Sequence, residues 1–363
     1  MDECTPVFSL SFHADYSCHN RGACCTAGWP IPVESAQADA LNRGRRDGRL
    51  QLEVSAQTPL FQDDNDSERP RVLNLVDGAC VCYARPGPGD PGRCHVQRAL
   101  GHAALPLACR QFPRVTLVDP RGVFVTLSHY CPTAAEMLAR PGGPGSEDRI
   151  LESPAGFPRG GEYEGLDARA NMPPLLRPDM LMDWESWSLW EQLSVEHLAR
   201  GAASASASLA GVRAAVEIAR TWSPARGPLA AHLTSAYGAA TGPRDSHARD
   251  DQRRLAEVLS AIPPDVRDRF AAPRLASHAH TVTADAVRRR FLAAHAFANW
   301  TAHLGLGLRT WLRSLESADA LVSLGLGIDG ADLLLRHLAD PAALARTWSA
   351  AETDSSYSAD MNG

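Results

Sequence analysis

Cysteines are the residues of this 363-residue chain that are best suited to chemistry. There are nine, all within the first 131 residues: Cys4, Cys18, Cys24, Cys25, Cys80, Cys82, Cys94, Cys109 and Cys131. Thiolates that converge from short turns are what zinc sites and iron–sulfur clusters use. Disulfides and inert buried thiols are alternatives, but the cysteine count is odd and two cysteines are adjacent. The pattern therefore favours metal or iron–sulfur ligation.

The spacing divides the cysteines into three groups. In chain order they are Cys18-x5-Cys24-Cys25-x3-Trp29, then Cys80-Val-Cys82 with Cys94 after a Pro/Gly turn, then Cys109 and Cys131. Adjacent cysteines are awkward ligands for one zinc ion, but they can serve a cluster or two neighbouring metals. Cys82 shares a face with Cys80 only where the segment stays extended.

A predicted β-hairpin connects the last two cysteines. Residues 114–118 and 123–127 are apolar and β-branched, and an Asp-Pro-Arg-Gly turn joins them. Such runs are typical of two antiparallel strands. Because Cys109 precedes the first strand and Cys131 follows the second, the hairpin brings the two thiols together.

Arg110 and Arg114 flank Cys109, where guanidinium groups would lower thiolate pKa values or bind a carboxylate. An ordinary surface ion pair is the alternative. Some histidines also lie near cysteines in the sequence, and packing is the default interpretation for each of them and for the eight in the C-terminal half. The histidines near cysteines are His13, His19, His95, His102 and His129. No nucleophile elbow, Walker loop or His-Glu-x-x-His motif is present, so the motifs name no catalytic residue.

Composition restricts the class of function. The chain has 42 acidic and 36 basic residues, the latter all arginine, and a formal net charge of −6. Diffuse attraction to nucleic acid or to an anionic membrane is therefore not expected. No apolar run approaches the ~20 residues of a membrane-spanning helix, and no secretory signal is evident. We expect a cytoplasmic protein whose oligomeric state is open.

The chain also changes character along its length. Residues 1–140 predict a small α+β, cysteine-rich, metal-binding domain, and the Pro/Gly-rich residues 141–182 predict a linker. Helical periodicity over 183–350 predicts a helical C-terminal domain in which Trp184, Trp187 and Trp190 belong to the core. Residues 351–363 predict a disordered tail. The expected fold is thus mainly α, with a small cysteine-rich domain at its N-terminus.

The order of these motifs resembles the flagellin lysine-N-methylase family, relatives of the YkgJ-type cysteine-cluster proteins that chelate zinc or iron. The similarity covers about residues 8–140. It includes the seven cysteines other than Cys4 and Cys82, together with Trp29, Gln97, the Cys109-Arg-x-Phe-Pro-Arg114 box and Leu127-Ser-x2-Cys131-Pro. The broader chelating group starts with Cys-x2-Cys-x2-Cys-Cys, so this chain has one cysteine fewer there.

The resemblance implies a protein-lysine N-methyltransferase that uses S-adenosylmethionine and holds an iron–sulfur cluster, of the 4Fe-4S type, or zinc instead. The implied metal ligands are Cys18, Cys24, Cys25, Cys80, Cys94, Cys109 and Cys131. Arg110 and Arg114 are the candidate cofactor-binding residues, and Cys4 and Cys82 are bystanders. The implied partner is a protein substrate with lysine side chains, such as flagellin, and neither nucleic acid nor membrane. The alternatives are a zinc- or iron-chelating module without methyl transfer and a thiol-exchange redox sensor.

Overall fold

A computed structural model describes residues 5–19, 21–62, 71–85, 92–140, 147–200, 204–240, 248–264, 266 and 284–354. Cys4 and residues 355–363 of the predicted tail lie outside them. Helix accounts for 54% of the described residues and strand for 14%. Within this part of the chain, no helix is both long enough and apolar enough to cross a membrane.

The strands are short and most lie in the first half. They are β1 (Val7–Leu10), β2 (Pro32–Val33), β3 (Arg71–Val72), β4 (Leu75–Val76), β5 (Ala79–Cys80), β6 (Tyr83–Ala84), β7 (Arg93–Cys94), β8 (Arg114–Asp119), β9 (Gly122–Leu127), β10 (Ile150–Glu152), β11 (Gly165–Asp167), β12 (Leu175–Arg177) and β13 (Met180–Leu181). The helices of this half are α1 (Ala23–Thr26), α2 (Ser35–Arg46), α3 (His95–Leu100), α4 (Leu107–Gln111) and α5 (Pro132–Ala139).

Longer helices form the second half. They are α6 (Trp184–Arg200), α7 (Ala205–Arg220), α8 (Leu229–Ala239), α9 (Ala248–Ser260), α10 (Asp285–Ala296), α11 (Trp300–Leu304), α12 (Leu308–Leu321), α13 (Gly327–Leu333) and α14 (Pro341–Trp348). Two π-helical segments, Val322–Leu326 and Leu334–Leu338, interrupt the last helices. The predicted core positions Trp187 and Trp190 are fully buried, and Trp190 packs edge-to-face on Trp311.

The described strands form one larger sheet of five, in the order β10-β1-β9-β8-β11. The predicted hairpin is confirmed, because β8 and β9 pair antiparallel with Leu117 opposite Phe124. Strand β1 joins β9 in parallel, and β11 joins β8 in parallel. Strands β10 and β11 both come from the residues expected as a linker, and they form the two edges of the sheet.

The sheet and the helices share one hydrophobic core. Leu117 and Phe124 of the hairpin belong to the same buried cluster as Trp187 and Phe297 of the helical half. The indole N–H of Trp300 donates a 3.0 Å hydrogen bond to the carbonyl oxygen of Thr116. A sheet face as apolar as this one must be covered, and the helices cover it.

The expected fold class is therefore wrong in its central feature. We expected a small cysteine-rich α+β domain in front of a helical domain, but no such separate small domain is evident in the part of the chain that the structure describes. All six residues of β9 are buried, so this strand is covered on both faces. A strand of that kind belongs in the middle of a larger layered structure. The described chain is instead a largely helical α+β structure built on a central mixed sheet.

Candidate metal centre

Five cysteines from separate elements meet beside the sheet. Cys24 and Cys25 lie on α1, Cys80 ends β5, Cys94 ends β7 and Cys109 lies on α4. We call these five residues the thiol group. The Cys25 thiol is hydrogen-bonded to those of Cys24, Cys80 and Cys94, and Cys109 interacts electrostatically with Cys24, Cys80 and Cys94. The eight described cysteines are all free thiols.

Two members of the thiol group, Cys80 and Cys94, have lowered pKa values, which favour the thiolate form. The pKa of Cys80 is lowered because the Cys25 and Cys82 thiols donate hydrogen bonds to it. The pKa of Cys94 is lowered by the Cys25 thiol and, against the effect of burial, by backbone N–H groups at the start of α3. The thiolate is the form of cysteine that binds metals.

Burial or hydrogen bonding raises the pKa of three other cysteines, Cys25, Cys109 and Cys82. Hydrogen bonds to Cys24, Cys80 and Cys94 raise the pKa of Cys25. Burial raises the pKa of Cys109. Cys82 is hydrogen-bonded to Cys80, and that hydrogen bond, burial and the charges of Cys80, Cys94 and Cys109 raise its pKa. The group therefore mixes thiolate acceptors with thiol donors.

The remaining two predicted ligands lie together a short way along the same surface. The Sγ atom of Cys131 is 3.8 Å from the phenol oxygen of Tyr16, and both Cys131 and Cys18 raise the pKa of that phenol, although burial contributes most. Cys131 is buried and precedes the first turn of α5, whereas Cys18 is exposed. The predicted hairpin thus places Cys131 near the cysteines, but beside Cys18 and Tyr16.

One cleft connects the two sets of cysteines. It encloses about 950 Å³, its open mouth included. The predicted ligands that line it are Cys18, Cys24, Cys25, Cys94, Cys109 and Cys131. Cys80 lies behind this wall. Six of the seven predicted ligands therefore line the same cleft.

The two predicted cofactor-binding arginines also line this cleft. Arg110 donates hydrogen bonds to the Leu105 carbonyl oxygen (2.6 Å) and to Glu162 (3.1 Å). Arg114 donates to the Arg110 carbonyl oxygen (3.3 Å) and lies over the Phe157 ring. Both guanidinium groups are therefore held in place by the protein while they border the cleft.

The histidines near the cysteines separate into different surroundings. His19 and His102 line the cleft, whereas His95 is buried near Glu53 and Arg98. His13 and His129 are fully buried, with their Nε2 atoms 3.2 Å apart. The last two belong to a cluster that the sequence analysis missed.

That cluster is centred on the buried carboxylate of Asp332. It accepts hydrogen bonds from the Ser128 hydroxyl (2.6 Å), the His129 backbone N–H (2.9 Å) and His295 (3.1 Å), and it forms an ion pair with Arg336 (3.1 Å). His337 completes it through a 2.7 Å contact with Ser128. We call these residues, with His13, the Asp332 cluster. The one local signal in the sequence was the i, i+4 spacing of Asp332 and Arg336.

An aromatic wall separates the Asp332 cluster from the cleft. The His337 ring centroid lies 4.5 Å from that of Trp29 and 5.9 Å from that of Phe112. Phe112 also lines the cleft. Arg336 and His337 are consecutive residues of a π-helical segment, a feature that is frequent at functional sites.

The thiol group suits a soft metal in its chemistry, because thiolates are the preferred ligands of zinc and of iron–sulfur clusters. The Cys25 thiol occupies the middle of the group. Among the described residues, no three His, Cys, Asp or Glu side chains are arranged to hold a metal ion. The thiol side chains would therefore have to change their rotamers in order to bind one metal centre together. No protein-family model matches this chain, and neither a curated protein nor a solved structure matches it.

Proposed function

We propose that this chain binds an iron–sulfur cluster through its cysteines and methylates lysine side chains of a protein with S-adenosylmethionine. The observation that carries the metal part is that four members of the thiol group, Cys24, Cys25, Cys94 and Cys109, line one cleft together with Cys18 and Cys131. The thiols of α1, β5, β7 and α4 gather at one place although they come from four separate elements. A metal centre explains why they do.

The methyl-transfer part depends on the order of motifs in the sequence. The series from Cys18 to Cys131, with Trp29 and the Cys109–Arg114 box, resembles the flagellin lysine-N-methylases. Two features support it: Trp29 packs against the buried cluster that contains Cys25 and Cys80, and Phe112, Arg110 and Arg114 line the cleft. A guanidinium group can hold the carboxylate of the methyl donor.

The metal part is tested on protein purified without oxygen. Iron, acid-labile sulfide and visible absorption are measured on the full chain and on Cys25→Ser. We expect iron with matching sulfide in the wild-type protein and loss of both in the variant, because Cys25 contacts three other members of the thiol group. Binding of S-adenosylmethionine by calorimetry and methyl transfer to lysine-containing proteins then test the activity.

A cysteine-ligated zinc or iron module without methyl transfer is the second candidate. It is favoured by the hydrogen bonds of Cys25 with Cys80 and Cys94, since thiolates from separate turns can share one tetrahedral zinc ion. Stoichiometric zinc, no sulfide and no binding of S-adenosylmethionine would support this candidate over the methyltransferase.

A further inference from the structure

A second pocket borders the Asp332 cluster. It encloses about 590 Å³, its open mouth included, and its apolar wall includes Val115, Phe297 and Leu344. His295 and Arg336 of the Asp332 cluster form part of the same wall, and none of the described residues that line the pocket is acidic. The pocket therefore combines apolar walls with one cationic side chain.

The guanidinium group of Arg336 is fixed in that wall by the protein. Its Nε atom lies 3.1 Å from Oδ1 of Asp332 and 3.5 Å from Nε2 of His295. Its Nη2 atom donates a 2.9 Å hydrogen bond to the carbonyl oxygen of Ala294. The side chain is only 9% exposed. The orientation of the guanidinium plane is therefore set before any ligand binds, which lowers the entropic cost of binding.

The third nitrogen of this group, Nη1 of Arg336, has no acceptor among the described residues. It is not among the unpartnered atoms that are sealed from solvent, and the pocket is a space that Arg336 borders. Arginine stays protonated in proteins, so Nη1 can only donate hydrogen bonds. An N–H group without an acceptor costs free energy in a largely buried place. A ligand oxygen at Nη1 would supply the missing acceptor.

The rest of the wall presents no acidic side chain to such a ligand. Oδ1 of Asn299 accepts hydrogen bonds from the backbone N–H (2.9 Å) and the hydroxyl (2.6 Å) of Thr301, and Nδ2 donates to Ser314 (2.8 Å). The indole N–H of Trp348 is buried and has no acceptor. Asp332 is fully buried and is not part of the wall. An anion in the pocket would therefore meet the Arg336 cation without facing a carboxylate of the wall.

We propose that this pocket binds a small aliphatic carboxylic acid in its ionised form. The carboxylate accepts hydrogen bonds from Nη1 of Arg336, and the hydrocarbon chain lies against Val115, Phe297 and Leu344. Hydrogen bonds between a guanidinium group and a carboxylate are stronger than those between neutral groups. Apolar walls with a few fixed polar groups are the usual composition of a small-molecule site. The site is separate from the cleft and does not depend on lysine methylation.

Three probes with the same hydrocarbon chain test the recognition of charge. Binding of pentanoate, 1-pentanol and pentylamine to the full chain is measured by titration with saturation-transfer difference NMR. We expect pentanoate to bind about tenfold more tightly than 1-pentanol, the effect of a charge-assisted hydrogen bond. Pentylamine should bind most weakly, because its ammonium group is repelled by Arg336. Equal affinities for pentanoate and 1-pentanol would overturn the proposal.

A variant of the apolar wall tests the location of the site. Val115→Phe adds volume at a half-buried position of the wall and narrows the pocket. We expect it to weaken the binding of both pentanoate and 1-pentanol about tenfold, because the chain loses its place against the wall. The matched control is Val72→Phe, at a half-buried strand position that is not part of the wall. It should bind both probes as the wild-type protein does.

A variant of the cation tests the role of Arg336. Arg336→Gln should lower the affinity for pentanoate about tenfold, to that for 1-pentanol, and leave 1-pentanol binding unchanged. The matched control is Arg290→Gln, which removes a guanidinium group that is also largely buried, 2.8 Å from Asp148, and is not part of the wall. Circular dichroism checks that each variant is folded. If Arg336→Gln does not fold, because Asp332 loses its counter-charge, the comparison of the three probes decides.

The cleft contains two other arginines that could attract a carboxylate, so the test also includes Arg110→Gln and Arg114→Gln. Both variants should bind pentanoate as the wild-type protein does. Pentanoate binding that is lost in these two variants and unchanged in Val115→Phe and Arg336→Gln would place the acid in the cleft and overturn this inference. Iron, sulfide and methyl transfer are measured separately, so their absence would overturn the proposed function and leave the carboxylate site intact.

Discussion

The hydroxyl of Ser128 donates a 2.6 Å hydrogen bond to Oδ2 of Asp332, which lies 204 residues further along the chain. Ser128 directly follows β9 and precedes Cys131 by three residues, whereas Asp332 belongs to α13. The contact is fully buried. The end of the cysteine-bearing half is thus fixed on the helical half by a polar cluster as well as by the shared core.

Replacing Asp332 with Asn should destabilise the protein by about 3–5 kcal/mol, the typical cost of breaking a buried ion pair. The change leaves the Arg336 guanidinium buried without a counter-charge. Urea unfolding monitored by circular dichroism measures it. Asp167→Asn, in an exposed pair with Arg169, is the control and should leave the unfolding midpoint unchanged. Equal stability of Asp332→Asn and wild type would show that the cluster does not join the halves.

Phe124→Ala should lower the free energy of unfolding by about 3–5 kcal/mol. The Phe124 ring stacks on Phe8 at 4.9 Å and meets Phe297 edge-to-face at 5.9 Å. Since Phe297 belongs to the helical half, the two halves should unfold together. Tryptophan fluorescence of the helices and far-ultraviolet circular dichroism should therefore report the same unfolding midpoint, which is lower in the variant. Two transitions, with the helical one unchanged, would instead indicate independent domains.

The sequence was informative where the signals were local. The Asp-Pro-Arg-Gly turn predicted the hairpin, and the spacing of Trp187 and Trp190 predicted their place in the core. The sequence did not predict strands β10 and β11, and it predicted a separate small domain that the structure does not have. Both errors have the same cause, because β10 and β11 form only by pairing with the distant strands β1 and β8. Their few residues carry no periodicity of their own within a Pro/Gly-rich segment. The separate small domain was predicted because that pairing is invisible in the sequence.

The same limit applies to the candidate site. Soft thiols and their short turns indicated a metal centre, but which thiols touch depends on how α1, β5, β7 and α4 pack. Cys131 was expected near Cys109, and both line the cleft, where Cys131 contacts Tyr16, a residue that the sequence did not single out. His13 and His129 are 116 residues apart in sequence, so no spacing pattern could join them. Asp332 could not be linked to either histidine for the same reason.

Glu316 makes the stability depend on pH. It is buried with Arg254, Arg213 and Arg313. Burial acts to raise the pKa of Glu316, but these arginines lower it to about 2. A carboxyl group with a pKa lowered on folding contributes stability above its unfolded pKa of about 4.3, and this contribution is lost as the pH falls towards 2.

The variant Glu316→Gln tests this expectation. The wild-type protein should be more stable than the variant by about 3 kcal/mol at pH 6. Unfolding in urea at a series of pH values should show the difference shrinking below about pH 5. A difference that stays constant from pH 6 to pH 3 would mean that the ionisation of Glu316 does not contribute to stability.

The cysteine variants should differ in bound metal. Cys109→Ser and Cys131→Ser are expected to lose metal and to lower the unfolding midpoint, because ligation energy contributes to folding. Cys82→Ala should retain metal, since Cys82 is not one of the seven proposed ligands. Elemental analysis of each purified variant measures this. Full occupancy in Cys131→Ser would restrict the ligands to the thiol group, and metal loss in Cys82→Ala would add Cys82 to them.

Iron and acid-labile sulfide content of the full chain, purified without oxygen, tests the central claim most directly. Iron and sulfide in matching amounts, with a broad visible absorption band that disappears in Cys25→Ser, is the predicted result. Protein that contains neither iron nor sulfide after reconstitution with both, and that has the same spectrum as Cys25→Ser, would contradict an iron–sulfur centre at these cysteines.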